Sequence, residues 1–113
     1  MVKVAGTTIT MVKGDTAIIY ISIADTDGNE YVPEQGDFIR FAAKRRYDDL
    51  QPCMYIEIPT ETMTLVIEPD DTKDLEAGLG DVIYRYDVEL SKADGSVDTF
   101  IAQGSLILLE EVC

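Results

Sequence analysis

The side chains best equipped for chemistry in this 113-residue chain are its 22 carboxylates, and there is no histidine to work with them. Without imidazole, most serine, cysteine and zinc catalytic designs lose their general base or their ligand. Two carboxylates across a cleft can hydrolyse a glycosidic bond, but among 22 acids some pair always has a plausible spacing. A solvated acidic surface accounts for them more simply. The segment Asp25-x-Asp27-Gly28-Asn29-Glu30 has the look of a calcium loop. An EF-hand, however, needs glycine at the sixth position, glutamate at the twelfth and a helix on each side. Here glycine is fourth and the flanks read as strands, so the segment is expected to be a hairpin turn. Glu68, Asp70, Asp71 and Asp74 form the other acidic cluster that could attract a cation. Gly14, Gly28, Gly78, Gly80, Gly95 and Gly104 are scattered at turns and build no phosphate-cradling loop before a helix. Cys53 is expected to pack as a small hydrophobe and Cys113 to be a free terminal thiol, because two cysteines do not make a disulfide framework. No catalytic, cofactor-binding or metal-binding residue is assigned, and no enzymatic activity is expected.

Charge narrows the partners. Nine basic residues against 22 acids leave a net charge of −13, which repels phosphate backbones and anionic membranes. Neither nucleic acid nor membrane is expected as a partner. The imbalance is local: residues 1–46 carry six acids and six bases, whereas 47–113 carry sixteen acids and three bases. The basic cluster is Arg40, Lys44, Arg45 and Arg46; opposite it in sign stand Asp70, Asp71, Asp74 and Glu76. These eight residues are the candidate protein-contact positions, with head-to-tail self-association as one outcome. The N-terminus lacks the apolar run of a secretory signal, and no stretch approaches ~18 apolar residues. The expectation is a soluble chain made in a cytoplasm.

The elements that must carry these groups are short strands. Period-two alternation marks Thr7–Val12, Thr16–Ala24, Phe38–Arg46, Cys53–Ile58, Thr62–Ile67, Val82–Ser91, Val97–Ala102 and Ser105–Leu109. Pro33 keeps Tyr31–Pro33 out of any central strand. Ile19, Ile21 and Ile23 share one face, as do Ile39, Phe41 and Ala43, and Val82, Tyr84, Tyr86, Val88 and Leu90. Around residues 70–77 the pattern changes: Asp70 or Asp71 can cap a helical turn and Gly78 can end it. The spacing predicts one domain, 1–113, an all-β antiparallel sandwich of about seven to eight strands with a single helical turn. Tyr84 and Tyr86, just after that turn, fit the tyrosine that pins a corner in immunoglobulin-like sandwiches.

Several pieces occur together in a familiar order. Ile9-Thr10-Met11-Val12-Lys13-Gly14-Asp15-Thr16 is followed by Ala24-Asp25-Thr26-Asp27-Gly28 and by Phe38-Ile39-Arg40-Phe41-Ala42-Ala43-Lys44-Arg45. Then come Thr64-Leu65-Val66-Ile67-Glu68-Pro69-Asp70-Asp71-Thr72, Tyr84-Arg85-Tyr86-Asp87-Val88-Glu89-Leu90, Asp94-Gly95-Ser96-Val97-Asp98-Thr99 and Gly104. In order and spacing, over roughly residues 7–112, this run resembles the immunoglobulin-like domains of tail and baseplate proteins of tailed phages and prophages. The type is the N-terminal domain of the upper baseplate protein of lactococcal phages. The spacer Leu79-Gly80-Asp81 is longer than that pattern expects. The resemblance implies a non-enzymatic structural module of a virion, at the tail tip or baseplate, whose partners are other phage structural proteins or further copies of itself. The alternative is an immunoglobulin-like adhesion or carbohydrate-binding module of a bacterial surface protein.

Overall fold

Alternating apolar and polar residues can bury one face of a strand and leave the other in water. The computed structural model puts this rule to use throughout. It describes residues 2–5, 7–22, 28–46 and 49–110, and of 2–5 and 101–103 only the backbone course. The elements run β1 (Val2–Ala5), β2 (Thr8–Val12), β3 (Ala17–Tyr20), β4 (Phe38–Lys44), β5 (Met54–Ile58), β6 (Thr64–Ile67), α1 (Pro69–Thr72), β7 (Ile83–Ser91) and β8 (Val97–Leu109). Six strands form one sheet in the order β1-β2-β8-β7-β4-β5, and β3 pairs with β6 in a second. The protein is nearly all-β.

The inner faces are those the alternation predicts. Ile39, Phe41 and Ala43 of β4 are buried, as are Tyr84, Tyr86, Val88 and Leu90 of β7. Ala17 and Ile19 of β3 and Leu65 and Ile67 of β6 are buried with them in one cluster. Each fully buried side chain of this size contributes roughly 1.5–3 kcal/mol relative to exposure. Ile18 and Tyr20, on the opposite face of β3, stand in solvent.

Gly104 lies opposite Tyr86 across the β7–β8 ladder. A Cβ at that position would fall far inside contact distance of three Tyr86 ring atoms. The glycine gives the ring its room, and the Tyr86 hydroxyl reaches across to donate to the Thr7 carbonyl oxygen at 2.7 Å.

Several expectations are corrected. The large sheet is mixed, not antiparallel, because β2 runs parallel to β8 from Thr8↔Ser105 to Val12↔Leu109. Direction is a long-range matter, and period-two alternation is the same in both arrangements. Val97–Ala102 and Ser105–Leu109 are one strand; Gly104 is an opening for a ring, not a break. The register slips instead between Tyr86 and Glu89. The helical turn covers Pro69–Thr72 rather than 70–77. Glu68 is its N-cap residue, Pro69 pre-sets the first backbone angle, and the Asp71 carboxylate accepts the Glu68 N–H at 2.8 Å. Gly78 does not end a helix; it bridges in parallel to Leu109. The second strand is described from Ala17 to Tyr20 only. Ile23, the Asp25–Asp27 part of the proposed hairpin, Tyr47 and Cys113 lie outside the described residues.

Two polar contacts hold the loops to this frame. Thr72 is buried, and its Oγ1 accepts the Gly14 N–H at 2.9 Å, tying the β2–β3 turn to α1. In the connection before β4, the Tyr31 hydroxyl donates to Asp37 Oδ2 at 2.6 Å, and the same oxygen accepts the Glu34 N–H. That hydrogen bond is the main reason the Tyr31 pKa is pushed up to about 12, with partial desolvation adding to it. It also lowers the Asp37 pKa below its usual 3.8. The Tyr31 contribution to stability is therefore complete below its unfolded pKa of 10.0 and is lost as pH rises toward about 12. The Asp37 contribution is complete above 3.8 and is lost as pH falls below it. Urea unfolding of wild type and Tyr31→Phe should accordingly differ near pH 8 and converge near pH 12. A gap that stays constant across that range contradicts this assignment.

Candidate functional site

The candidate site is built from the outward-facing residues of β5, β4, β7 and β8. On these strands one set of side chains is buried, so the next set must point out. The register stacks them in rungs. Arg40 lies beside Glu57 on β5 and Glu89 on β7; Ala42 lies between Tyr55 and Asp87; Lys44 lies opposite Arg85, and Arg85 opposite Ser105. Alanine in the middle of a face otherwise made of long side chains leaves a depression. That groove has a volume of about 410 Å³, with Ala42 at its centre and Arg40, Lys44, Tyr55, Arg85 and Asp87 around it.

The first rung is neutralised internally. Arg40 donates through Nη1 to Asp87 Oδ1 at 2.5 Å and through Nη2 to Glu89 Oε2 at 2.8 Å. Burial works against its charge, but the bond to Asp87 and the two acid charges outweigh that and raise the guanidinium pKa. A fork so engaged on two carboxylates has little left to offer a ligand. The last rung is the opposite case. Lys44 and Arg85 are like charges directly across a strand pair, an unfavourable arrangement on its own. Lys44 donates to the Asp49 carbonyl oxygen at 2.8 Å, and Arg85 donates to the Ser105 hydroxyl. Neither forms an ion pair with a carboxylate among the described residues.

The structure divides the basic cluster that the sequence suggests. Arg40 and Lys44 share the outer sheet face. Arg45 turns the other way: it donates to the Ile83 carbonyl oxygen at 2.9 Å and its guanidinium sits 5.7 Å from the Tyr84 ring centroid. Its buried Nε has no hydrogen-bond acceptor among the described residues and faces Glu76 Oε2 at 3.9 Å. Arg46 is exposed, with its backbone N–H on Asp49. On the acidic side, Asp70 is exposed beside Lys73, Asp71 is occupied at the start of α1, and Asp74 is exposed. Thus one member of each candidate patch, Arg45 and Glu76, meets within a single chain. The acidic segment therefore lies against the Lys44–Arg45 end of β4.

Tyr84 fixes that end. Its hydroxyl donates to the Glu76 carbonyl oxygen at 2.8 Å, linking the start of β7 to the segment after α1. Desolvation is the first cause that pushes its pKa up, so the proton stays in place at neutral pH. Removing the hydroxyl strands a carbonyl acceptor at a largely buried position. Tyr84→Phe should therefore cost about 1–2 kcal/mol in urea unfolding. An unchanged midpoint would rule out a pinning role.

Cys53 corrects another expectation: it is exposed rather than packed in the core. Its sulfur tucks against the Ala43 carbonyl oxygen at 3.3 Å. Desolvation of the sulfur is the main cause that pushes the thiol pKa up, with the nearby Asp49 charge adding to it. That is the opposite of what activates a nucleophile. Among the described residues no three acid or sulfur side chains converge on a point where a metal ion could sit, and no helix is long and apolar enough to cross a membrane. Residue types and local spacing identify Lys44 but not Arg85, Tyr55 or Ala42. Those come together only through strand pairing, and the absence of a side chain at Ala42 carries no local signal.

No family model, no curated protein and no solved structure matches the chain.

Proposed function

We propose that the chain is a non-enzymatic structural module of a bacteriophage or prophage particle, in the tail tip or baseplate, built on an immunoglobulin-like sandwich. The observation that carries this reading is the agreement between the ordered motifs and the strand arrangement. In such sandwiches the second and fifth strands pair in one sheet, while the third, sixth and seventh form the other. Counted from β2, the second and fifth strands here, β3 and β6, pair with each other. The third, sixth and seventh, β4, β7 and β8, are neighbours, while β2 and β5 extend the larger sheet. Tyr84 supports the same reading, since it bonds back to Glu76 at the corner before the sixth strand of that scheme. Among the described residues, the motifs through which the chain resembles phage tail domains lie on β2, β4, β6, α1, β7 and β8 and the turns beside them, and they supply no catalytic group.

Such a module works by presenting strand edges and sheet faces to copies of itself and to neighbouring proteins. A face whose last rung, Lys44 and Arg85, is positive suits that work, because a charged rung suppresses wrong partners and sets orientation. A second reading, a carbohydrate-binding or adhesion module of a bacterial surface protein, draws support from Tyr55. This aromatic ring is more than half exposed beside the polar groups of the groove. Sequencing the reading frames on either side of the gene separates the two. Tail, baseplate or lysis frames are the result expected here. Frames for wall anchors or sugar-processing enzymes would favour the second reading.

A further inference from the structure

We infer that the groove over Ala42 is one half of a two-fold interface between copies of this chain, and that the exposed acidic segment 70–79 of the partner copy is the other half. This rests on the assembly role proposed above and specifies how it is carried out. Three observations lead to it.

The first is charge. Lys44 and Arg85 are unneutralised by carboxylates among the described residues, and they oppose each other across β4 and β7. Asp70 projects with its side chain 87% exposed, in a solvent-facing pair with Lys73 at 3.5 Å that is worth little, and Asp74 is exposed two residues beyond Thr72. A carboxylate between two cations removes the like-charge conflict and gains from both.

The second is apolar surface. Two leucines are almost wholly in solvent, Leu50 at 94% and Leu79 at 91%. Leu50 precedes Pro52, which lines the groove beside the exposed Tyr55. Leu79 follows directly on the acidic segment. An exposed leucine is ordinary by itself. One beside each of two oppositely charged patches gives the mixture of apolar anchor, aromatic ring and charged surround that protein interfaces use.

The third is placement. Arg45 and Glu76 meet in one chain, so the acidic segment lies at the end of β4 where Lys44 and Arg85 close the groove, around the strand end from the groove's own face. A molecule that carries both halves at one end can pair with its own copy about a two-fold axis, each segment entering the other's groove. That closes the assembly as a dimer instead of extending it head to tail.

Net charge sets the conditions. At ~0.01 M salt the screening length is ~30 Å, and two chains of −13 repel as wholes; at ~0.15 M it is ~8 Å, and the contacting pairs dominate. Dimerisation should therefore be strongest at intermediate salt and fall off on both sides.

The test is sedimentation velocity of the full chain over a concentration series at ~0.15 M salt. Wild type should dimerise. Leu79→Ser, and separately Lys44→Glu with Arg85→Glu, should weaken dimerisation at least ~10-fold while the melting temperature stays within a few degrees, since all three side chains are on the surface. Asp70→Lys with Asp74→Lys should do the same. Mixing the groove-reversed and segment-reversed variants should restore a dimer, because each then meets the charge it lacks. A wild-type chain that is monomeric up to millimolar concentration overturns the inference. So do folded variants that dimerise as wild type does, or mixed variants that remain apart. Finding the chain in purified particles despite any of these results would leave the assembly role standing and remove only this interface.

Discussion

Gly104→Ala is expected to lower stability by about 3 kcal/mol, near the upper end of what overpacking a core costs. The reason is geometric. The added methyl would overlap the Tyr86 ring at three of its atoms, and the ring cannot retreat. Its hydroxyl is held by Thr7, and the ring is packed on Phe41 with centroids 4.9 Å apart. Either β8 shifts away from β7 or the ring leaves its rotamer. A shift would also disturb the parallel β2–β8 pairing, because the Thr7 carbonyl accepts the Ser105 N–H as well as the Tyr86 hydroxyl. For a domain of this size, whose whole stability is typically 5–15 kcal/mol, the urea midpoint should fall visibly. Combining Gly104→Ala with Tyr86→Ala should cost less than the sum of the two, since the second change removes the obstacle created by the first. Strict additivity, or an unaltered midpoint for Gly104→Ala alone, would contradict this account of the residue.

Phe41→Ala should cost still more, about 3–5 kcal/mol. Phe41 is fully buried in the middle of β4, between the ladder partners Ile56 and Val88. Its ring is tilted 34° against Tyr86, a geometry that adds to simple burial. Strand β4 lies between β7 and the edge strand β5. Because β7 is held on its far side by β8, that side of the sheet cannot close the cavity that truncation leaves. Phe41→Leu, which keeps most of the volume, should cost under ~1.5 kcal/mol. Equal losses for the two variants would mean that ring packing, not volume, decides the position. A loss below ~1 kcal/mol for alanine would mean that Phe41 is not the centre of the core.

These two positions also mark what local pattern can and cannot reveal. Phe41 is legible as a core residue because its neighbours alternate, and the same holds for Ile19 and for Tyr84 to Leu90 along β7. Tyr84 and Tyr86 stand out in sequence as tyrosines that could bond back to the backbone after the helical turn, and Tyr84 does so, donating to the Glu76 carbonyl oxygen. Gly104 reads as an interruption when its own segment is considered alone. Its purpose lies on β7, and a glycine that clears space for a distant ring looks like a glycine that breaks a strand. The parallel pairing of β2 with β8 is hidden for a related reason: alternation fixes which face is buried but not which strand lies alongside, or in which direction. Strand β1, with Val2-Lys3-Val4-Ala5 paired to β2, is too short to give a periodic signal.

The charged positions divide along the same line. Arg40, Lys44, Arg45 and Arg46 form one cluster in sequence, yet alternation sends Arg40 and Lys44 to the outer sheet face while Arg45 leaves the strand end toward Tyr84. Arg40 then finds Asp87 and Glu89, 47 and 49 residues away, and ceases to be a free cation. Arg85 joins Lys44 only because β7 pairs with β4. Sequence distance gives no hint of either event. The net excess of acid in residues 47–113 is likewise partly offset in space, since Arg40 and Arg45 from the balanced first part meet Asp87, Glu89 and Glu76 from the acidic second part.

If this chain is a built-in component of a phage particle, as proposed above, it must travel with the particle. Particles released from the source cells can be banded by density, and their proteins digested and identified by mass spectrometry. Peptides of this chain should appear at a constant ratio to the major tail proteins across the particle band, and should survive a high-salt wash that strips surface-bound protein. If the chain is absent from the band, or is found instead in the cell-surface fraction, the particle reading is contradicted.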